Sequence, residues 1–273
     1  MSPAITTVQH VQETTRRLGQ LGYASVAFNE TVVGRDGVRG LDRPGLKKAR
    51  NTLWLAAQGG PKENGPVTRL RRVTIIVSDK GEAQFLCGVI RSLKWADLVA
   101  ARPTSDSALQ LLCEAGDVDI ISLDLSIRQG FILSTHLADV ARARGIVFEV
   151  RYAGLILAEC ATKRQQIMAN VSGLLAATRG RGIVWCSGAN AGVAGECLRG
   201  AYDVMNLAVV LGLKEEQALR AMTATCEGVR GHAKARRMEW IPAEVIRTWK
   251  SEGREEEEGE GERMVVMGEG GEG

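Results

Sequence analysis

Six apolar, strand-like runs alternate with amphipathic helical segments along this chain, and that alternation limits the fold more than any other feature. The runs are 24–28, 73–77, 98–101, 120–125, 146–150 and 183–186. Each is mostly apolar, broken only by Ser25, Thr74, Ser122, Asp124 and Glu149, rather than apolar at every second position. A strand of that kind has both faces covered, which is the mark of a parallel sheet wrapped by helices. Between the runs, helical spacing places Val8, Val11, Thr15 and Leu18 on one face, then Phe85, Leu86, Val89, Ile90 and Leu93. Leu109, Leu112 and Cys113 form another such face behind a cap at Ser105 or Ser107. Further helices carry Leu137, Val140 and Ala141, and Ile167, Val171, Leu174 and Leu175. Two last helices are expected over 203–211 and 214–226.

Two architectures satisfy this order, an open doubly wound sheet and a closed (β/α) barrel. No G-x-G-x-x-G turn follows the first strand directly, which weakens the dinucleotide-binding form of the open sheet. A structured body of about 230 residues suits a barrel. No apolar run approaches the roughly 20 residues that a membrane helix needs. The first residues show no secretory pattern, so a cytosolic or nuclear protein is expected, with no membrane partner. The six cysteines (Cys87, Cys113, Cys160, Cys186, Cys197 and Cys226) form no C-x-x-C pair and are expected to pack as small apolar residues.

Barrel chemistry sits where strands meet their following loops. Here those places hold Asn29-Glu30, Ser78-Asp79, Arg102-Pro103, Asp124, Glu149-Arg151-Tyr152 and Ser187-Gly188. A metal-dependent hydrolase needs clustered histidines and carboxylates there, yet His10, His136 and His232 all lie elsewhere. No metal site and no cofactor are expected. Asp124 and Glu149 could form an acid/base pair, but pairing with Arg128 or Arg151 is the better account of them. Cys186-Ser187 lacks a histidine to activate a nucleophile. No catalytic residue is assigned.

Charge is the more informative signal. The net +3 conceals a tail, 251–273, with nine Glu and two Arg, so the remaining residues carry +10, 33 basic against 23 acidic. That tail is too acidic and Gly-rich to bury a core, and is expected to be disordered within a C-terminal extension, 239–273. Residues 1–238 form the expected barrel domain. It includes a loop, 34–72, with ten Lys or Arg against three acids. A second cluster, Arg230, Lys234, Arg236 and Arg237, is expected just past the last helix. Lys163 and Arg164 begin a helix, where cations are disfavoured and an external anion would help. A body this basic suits an anionic partner, a long polyanion above all.

Several segments, in order, resemble one family. They are Leu21-Gly22-Tyr23-Ala24-Ser25-Val26-Ala27 with Asn29, then the run from Arg69 to Asp79, and Asp97 to Ala100 with Pro103-Thr104-Ser105. Asp117 to Ser122, Arg144 to Glu149, and Leu198 to Leu207 followed by Gly212-Leu213 complete the set. The chain, from about Leu18 to Arg237, is similar to the thirty-kilodalton barrel subunit of archaeal and eukaryotic ribonuclease P, shared in eukaryotes with RNase MRP.

The resemblance implies a TIM-type barrel related to metal-dependent phosphoesterase barrels but without their metal ligands. It implies a non-catalytic subunit of a ribonucleoprotein whose RNA removes 5′ leaders from precursor tRNA, or processes precursor rRNA. The implied partners are the RNase P or MRP RNA, precursor tRNA and a small ferredoxin-like Pop-type subunit. The implied place is the nucleus, chiefly the nucleolus. Arg69, Arg71, Arg72, Lys163, Arg164, Arg199, His232 and Lys234 fall in basic or polar segments of the family pattern. With Arg236 and Arg237 they are the expected contacts to RNA or protein. A metal-dependent barrel phosphoesterase and a basic protein-interaction scaffold are the alternatives. Two departures stand out: the first barrel strand is missing before the initial helix, and 128–136 lacks the Pro and extra cations usual in the family.

Overall fold

The computed structural model describes residues 8–41, 67–128, 130–189 and 194–238. The expected acidic tail and the centre of the basic loop, 42–66, lie outside the described residues. The described elements run α1 (Val8–Gln20), β1 (Ser25–Val33), α2 (Gly34–Leu41), β2 (Thr68–Val77) and α3 (Lys80–Val89), which tightens into a 3₁₀ turn, Ile90–Ser92. Next come β3 (Leu98–Pro103), α4 (Asp106–Ala115), β4 (Ile120–Ile121), α5 (Thr135–Ala143) and β5 (Val147–Arg151). The order ends with α6 (Ala153–Ile156), α7 (Ala161–Thr178), β6 (Ile183–Cys186), α8 (Ala194–Cys197), α9 (Ala201–Val210), α10 (Glu215–Met222) and α11 (Ala224–Arg237). Helix starts are fixed by side chains that accept from the first free backbone N–H groups: Asp79 from Glu82, Ser105 from Ala108, Ser134 from Leu137.

All strand pairs are parallel, and the spatial order β1-β2-β3-β4-β5-β6 is the chain order. That order decides between the two architectures. A right-handed crossover places its helix on a fixed side of the sheet, so a doubly wound sheet needs a reversal in strand order to cover both faces. With no reversal, every crossover helix lies on one side. The sheet must then curl to bury its other face against itself, giving a curled half-barrel of TIM type.

Side-chain alternation along the strands confirms two distinct faces. Val73, Ile75, Val77, Val99, Ala101, Ile121, Phe148, Val150 and Trp185 pack outward in the main core beneath the helices. Leu98, Ala100, Ile120, Val147 and Val184 point inward and pack with Val229 and Ala233 of α11. α11 therefore closes the end of the barrel from which the strands start. β1 and β6 end the sheet order. The chain after β6 meets the β1 side through a small cluster of Leu18, Leu198, Tyr23, Val26 and Ala189. There the Tyr23 hydroxyl donates to the Arg199 carbonyl at 3.1 Å.

Three expectations need correction. The basic segment 34–72 is not a loop at its ends: 34–41 is helix α2, because Val38 and Leu41 reach the core, and 68–72 belongs to β2. The fourth strand is shorter than 120–125. Ser122 N still bonds Ala101 O at 2.9 Å. The Asp124 carboxylate then accepts from Ser126 N and Oγ, a local turn that takes the chain out of the ladder. Finally, 224–237 is one continuous helix, so Arg230, Lys234, Arg236 and Arg237 lie on it rather than beyond the last helix.

Arg179 ends α7 in the left-handed region, φ 52°, the one non-glycine residue with positive φ among the described residues. Its exposed guanidinium lies 3.7 Å from the half-buried Asp139, a contact of little worth. Arg179→Gly should raise stability by about 0.5–1 kcal/mol, since glycine carries no Cβ penalty there. A thermal melt checks it: the melting temperature should rise by roughly 2 °C.

Candidate functional site

The inward-facing residues form layers with different chemistry. Above the apolar layer closed by α11 lies a polar one. Arg72, on β2, spans the interior to Glu149, on β5. Its two terminal nitrogens face the two carboxylate oxygens, with the Nη2–Oε2 distance 2.7 Å. Both are buried, Glu149 to 1% exposure. The Cys186 thiol donates to Glu149 Oε1 at 2.9 Å. Burial alone would raise the Glu149 pKa, but the Arg72 charge and its hydrogen bonds outweigh that and hold it at about 2. Burial and the adjacent carboxylate push the Cys186 thiol far up. Neither group is poised for chemistry near neutral pH: the carboxylate stays ionised and the thiol stays protonated.

Nearer the strand ends lies a third layer. Arg151 Nη2 donates to Asp124 Oδ1 at 3.2 Å, and Arg102 Nε to the Ser122 carbonyl at 3.3 Å. Burial opposes ionisation of Asp124, but hydrogen bonds from Ser126 and the charges of Arg151 and Arg102 lower its pKa. Asp124 and Glu149 are thus each held by an arginine rather than by one another. Arg151 is the partner expected for Asp124, while Arg72 is the unexpected partner of Glu149. Among the described residues no group of three or more His, Cys, Asp or Glu could hold a metal ion.

The opposite end carries most of the basic candidates. Asp119, wholly buried, accepts from Val99 N at 2.7 Å and from Arg236, whose Nη2 lies 3.0 Å away. Asp119 Oδ1 also lies 2.9 Å from His232 Nδ1. Gly145, at φ +81°, leaves room for that imidazole, since a Cβ there would lie 2.7 Å from His232 Cδ2. Asp97 accepts from Arg71 N at 2.8 Å and from Arg237 Nη1. Two aspartates therefore fasten α11 to the strand starts. Beside them opens a cleft of about 340 Å³, with Leu70 and Leu98 on its floor and Asp97, Glu227, Arg230, Lys234 and Arg237 around it. Arg230, Lys234 and Arg237 follow i, i+4, i+7 spacing, which puts them on one helical face.

The structure sorts the expected contact residues. Arg72 and Arg236 are tied to buried carboxylates inside the fold. Arg71, His232 and Arg237 line the strand-start end but spend donors on Asp97 or Asp119. Arg69, on the same strand as Arg71, donates to Thr15 Oγ1 at 3.2 Å. Lys234 is exposed at the cleft. The others lie elsewhere. Lys163 faces Glu159 at 3.7 Å. Arg164 donates to the Leu155 and Ala158 carbonyls, so it caps the preceding helical turn, which accounts for a cation at a helix start. Arg199 caps α8 through the Glu196 and Leu198 carbonyls.

Comparison with known proteins now adds to this geometry. The family model described as RNase P subunit p30 matches residues 4–238. The mouse ribonuclease P protein subunit p30 is 28% identical over 217 residues, covering 80% of this chain and 78% of its own length. The Arabidopsis thaliana protein GAMETOPHYTE DEFECTIVE 1 is 32% identical over 243 residues, 82% of this chain. The match spans only 41% of that relative's length. Among solved structures, a chain of archaeal ribonuclease P with mature tRNA, seen by cryo-electron microscopy, superposes with a TM-score of 0.64 at 15% identity. It covers 84% of this chain and 91% of its own, and so supports the fold. With the family model spanning nearly all of the curled sheet and its helices, this chain belongs to the RNase P subunit p30 family.

Proposed function

We propose that this chain is a non-catalytic protein subunit of ribonuclease P and of RNase MRP, and that it meets RNA at the strand-start end closed by α11. The catalytic RNA removes 5′ leaders from precursor tRNA, or processes precursor rRNA. The protein supplies a rigid basic surface. The observation that carries this reading is the cleft beside α11. Its exposed Arg230 and Lys234 have side chains available to phosphates, while Arg237 and Arg71 are held in place by Asp97. The family match supports the assignment of the particle. A small Pop-type subunit is the expected protein neighbour, and the nucleus, chiefly the nucleolus, the expected place.

Arg230→Ala with Lys234→Ala should weaken binding to RNase P RNA roughly tenfold and lower the salt slope of log K by about 2. Stability should stay within about 0.5 kcal/mol of the native chain, since both residues are exposed. Fluorescence anisotropy across a salt series reads both numbers. The assignment to the particle is tested separately. The tagged protein, recovered from its own cells, should bring down RNase P or MRP RNA with precursor-tRNA cleavage activity. Intact protein recovered with neither RNA would overturn it.

A further inference from the structure

A surface that only tracks phosphates needs exposed cations and nothing more. The cleft beside α11 holds more than that. Leu70 and Leu98 give it an apolar floor. Glu227, Arg230, Gly231 and Lys234 line it from one helical face, at i, i+3, i+4 and i+7. Of its two carboxylates, Asp97 is matched by Arg71 and Arg237. Glu227 is not matched. Among the described residues its carboxylate has no hydrogen-bond or ion-pair partner, although Arg230 stands one turn away. Arg230 and Lys234 are likewise exposed and without such partners. An unmatched carboxylate beside those cations weakens a surface that meets phosphates alone. It strengthens binding when the ligand brings hydrogen-bond donors along with its phosphate.

The shape of the cleft agrees with such a ligand. Gly231 leaves the helix bare between Glu227 and Lys234, and a Cβ there would meet nothing within 4 Å. A flat ring can therefore lie against the backbone over the leucine floor. At about 340 Å³ the cleft falls among small-ligand pockets, roughly 300–1,000 Å³. An RNA base has the flat face, and its edge has the donors. In a duplex that edge is already paired, so only an unpaired nucleotide can present it. A carboxylate accepts and cannot donate. Guanine offers adjacent N1–H and N2–H donors that match both carboxylate oxygens, whereas uracil sets its single N–H between two carbonyl oxygens. We propose that the cleft takes one unpaired guanine nucleotide of an RNA. Its base lies on Leu70 and Leu98, its Watson–Crick edge meets Glu227, and its flanking phosphates meet Arg230 and Lys234. This rests on the reading of the α11 end as the RNA-binding surface.

Fluorescence anisotropy on the full chain tests this with three labelled RNAs of equal length: oligouridine with one central guanosine, oligouridine alone, and a fully paired duplex. The guanosine strand should bind roughly tenfold tighter than oligouridine, the worth of one bidentate pair. Glu227→Gln should erase that preference. The ratio is the readout, because loss of a negative charge strengthens all three affinities. Gly231→Leu fills the cleft and leaves every charge in place. It should weaken the guanosine strand roughly tenfold and the duplex far less. Leucine is the better helix former, so a thermal melt of this variant should match or exceed that of the native chain. Equal binding of the two single strands, or a guanosine preference that survives both Glu227→Gln and Gly231→Leu, overturns the proposal. The two readings fail separately. If Arg230→Ala with Lys234→Ala weakens all three RNAs but no guanosine preference exists, the basic surface stands and the nucleotide site falls. If that double variant changes nothing, the surface falls and the nucleotide site with it.

Discussion

Glu149→Ala will destabilise the fold by about 3–5 kcal/mol at neutral pH, because it strands the Arg72 guanidinium inside the barrel. The two single variants should differ. Arg72→Ala leaves a buried carboxyl that can escape by taking a proton, whereas Glu149→Ala leaves a group that stays charged. Arg72→Met with Glu149→Leu removes both charges and should recover most of the loss. Urea melts of the four proteins measure this as a double-mutant cycle. The same pair fixes the acid response. The Glu149 pKa lies at about 2 in the fold against an ordinary 4.5, so its contribution is complete above about pH 4.5. That contribution is then lost as pH falls towards 2, and Glu149→Ala should lack this part of the acid transition. A Glu149→Ala variant within about 1 kcal/mol of the native chain would show that the interior is wet enough to solvate Arg72.

Asp119→Ala should release α11 from the barrel. The carboxylate is the shared acceptor for Val99 N, Arg236 and His232, so one substitution orphans donors on both the sheet and the helix. The expected loss is about 3 kcal/mol. Its distribution is the sharper test. Hydrogen exchange should accelerate across 224–237 far more than across the β2–β3 ladder. Asp119→Asn keeps an acceptor for Val99 N and should lose less. Uniform acceleration through the whole chain would mean that α11 and the sheet unfold as one unit.

The strands were legible because fully covered parallel strands need largely apolar runs, and 73–77 and 183–186 supply them. Their order in space was not legible, since two architectures share the pattern until the pairing is known. α11 was missed for a local reason. Gly228, Gly231 and four Lys or Arg within 224–237 hide a buried stripe of only Val229 and Ala233. The usable signal was His232 and Arg236 at i, i+4, both of which meet Asp119. The site shows the same divide. Clustered charge pointed to the right segments, but it could not separate Lys234, exposed at the cleft, from Arg72, buried across the barrel. Arg164 and Arg199 spend their donors on backbone carbonyls, and no residue identity announces such a partner.

The closing of the barrel by α11 also sets an order of events during synthesis. This helix of 14 residues is the last described element, and its ties reach back 113 residues to Asp119 and 140 to Asp97. Contacts that distant form only once the intervening chain exists and is nearly folded. A nascent chain that has emerged only as far as β6 carries Leu98, Ile120, Val147 and Val184 with the helix that covers them still unmade. The strands can pair early, but their apolar floor stays wet until the ribosome has delivered residues 224–237. Loss of newborn protein to aggregation should therefore fall once residues 224–237 have been made.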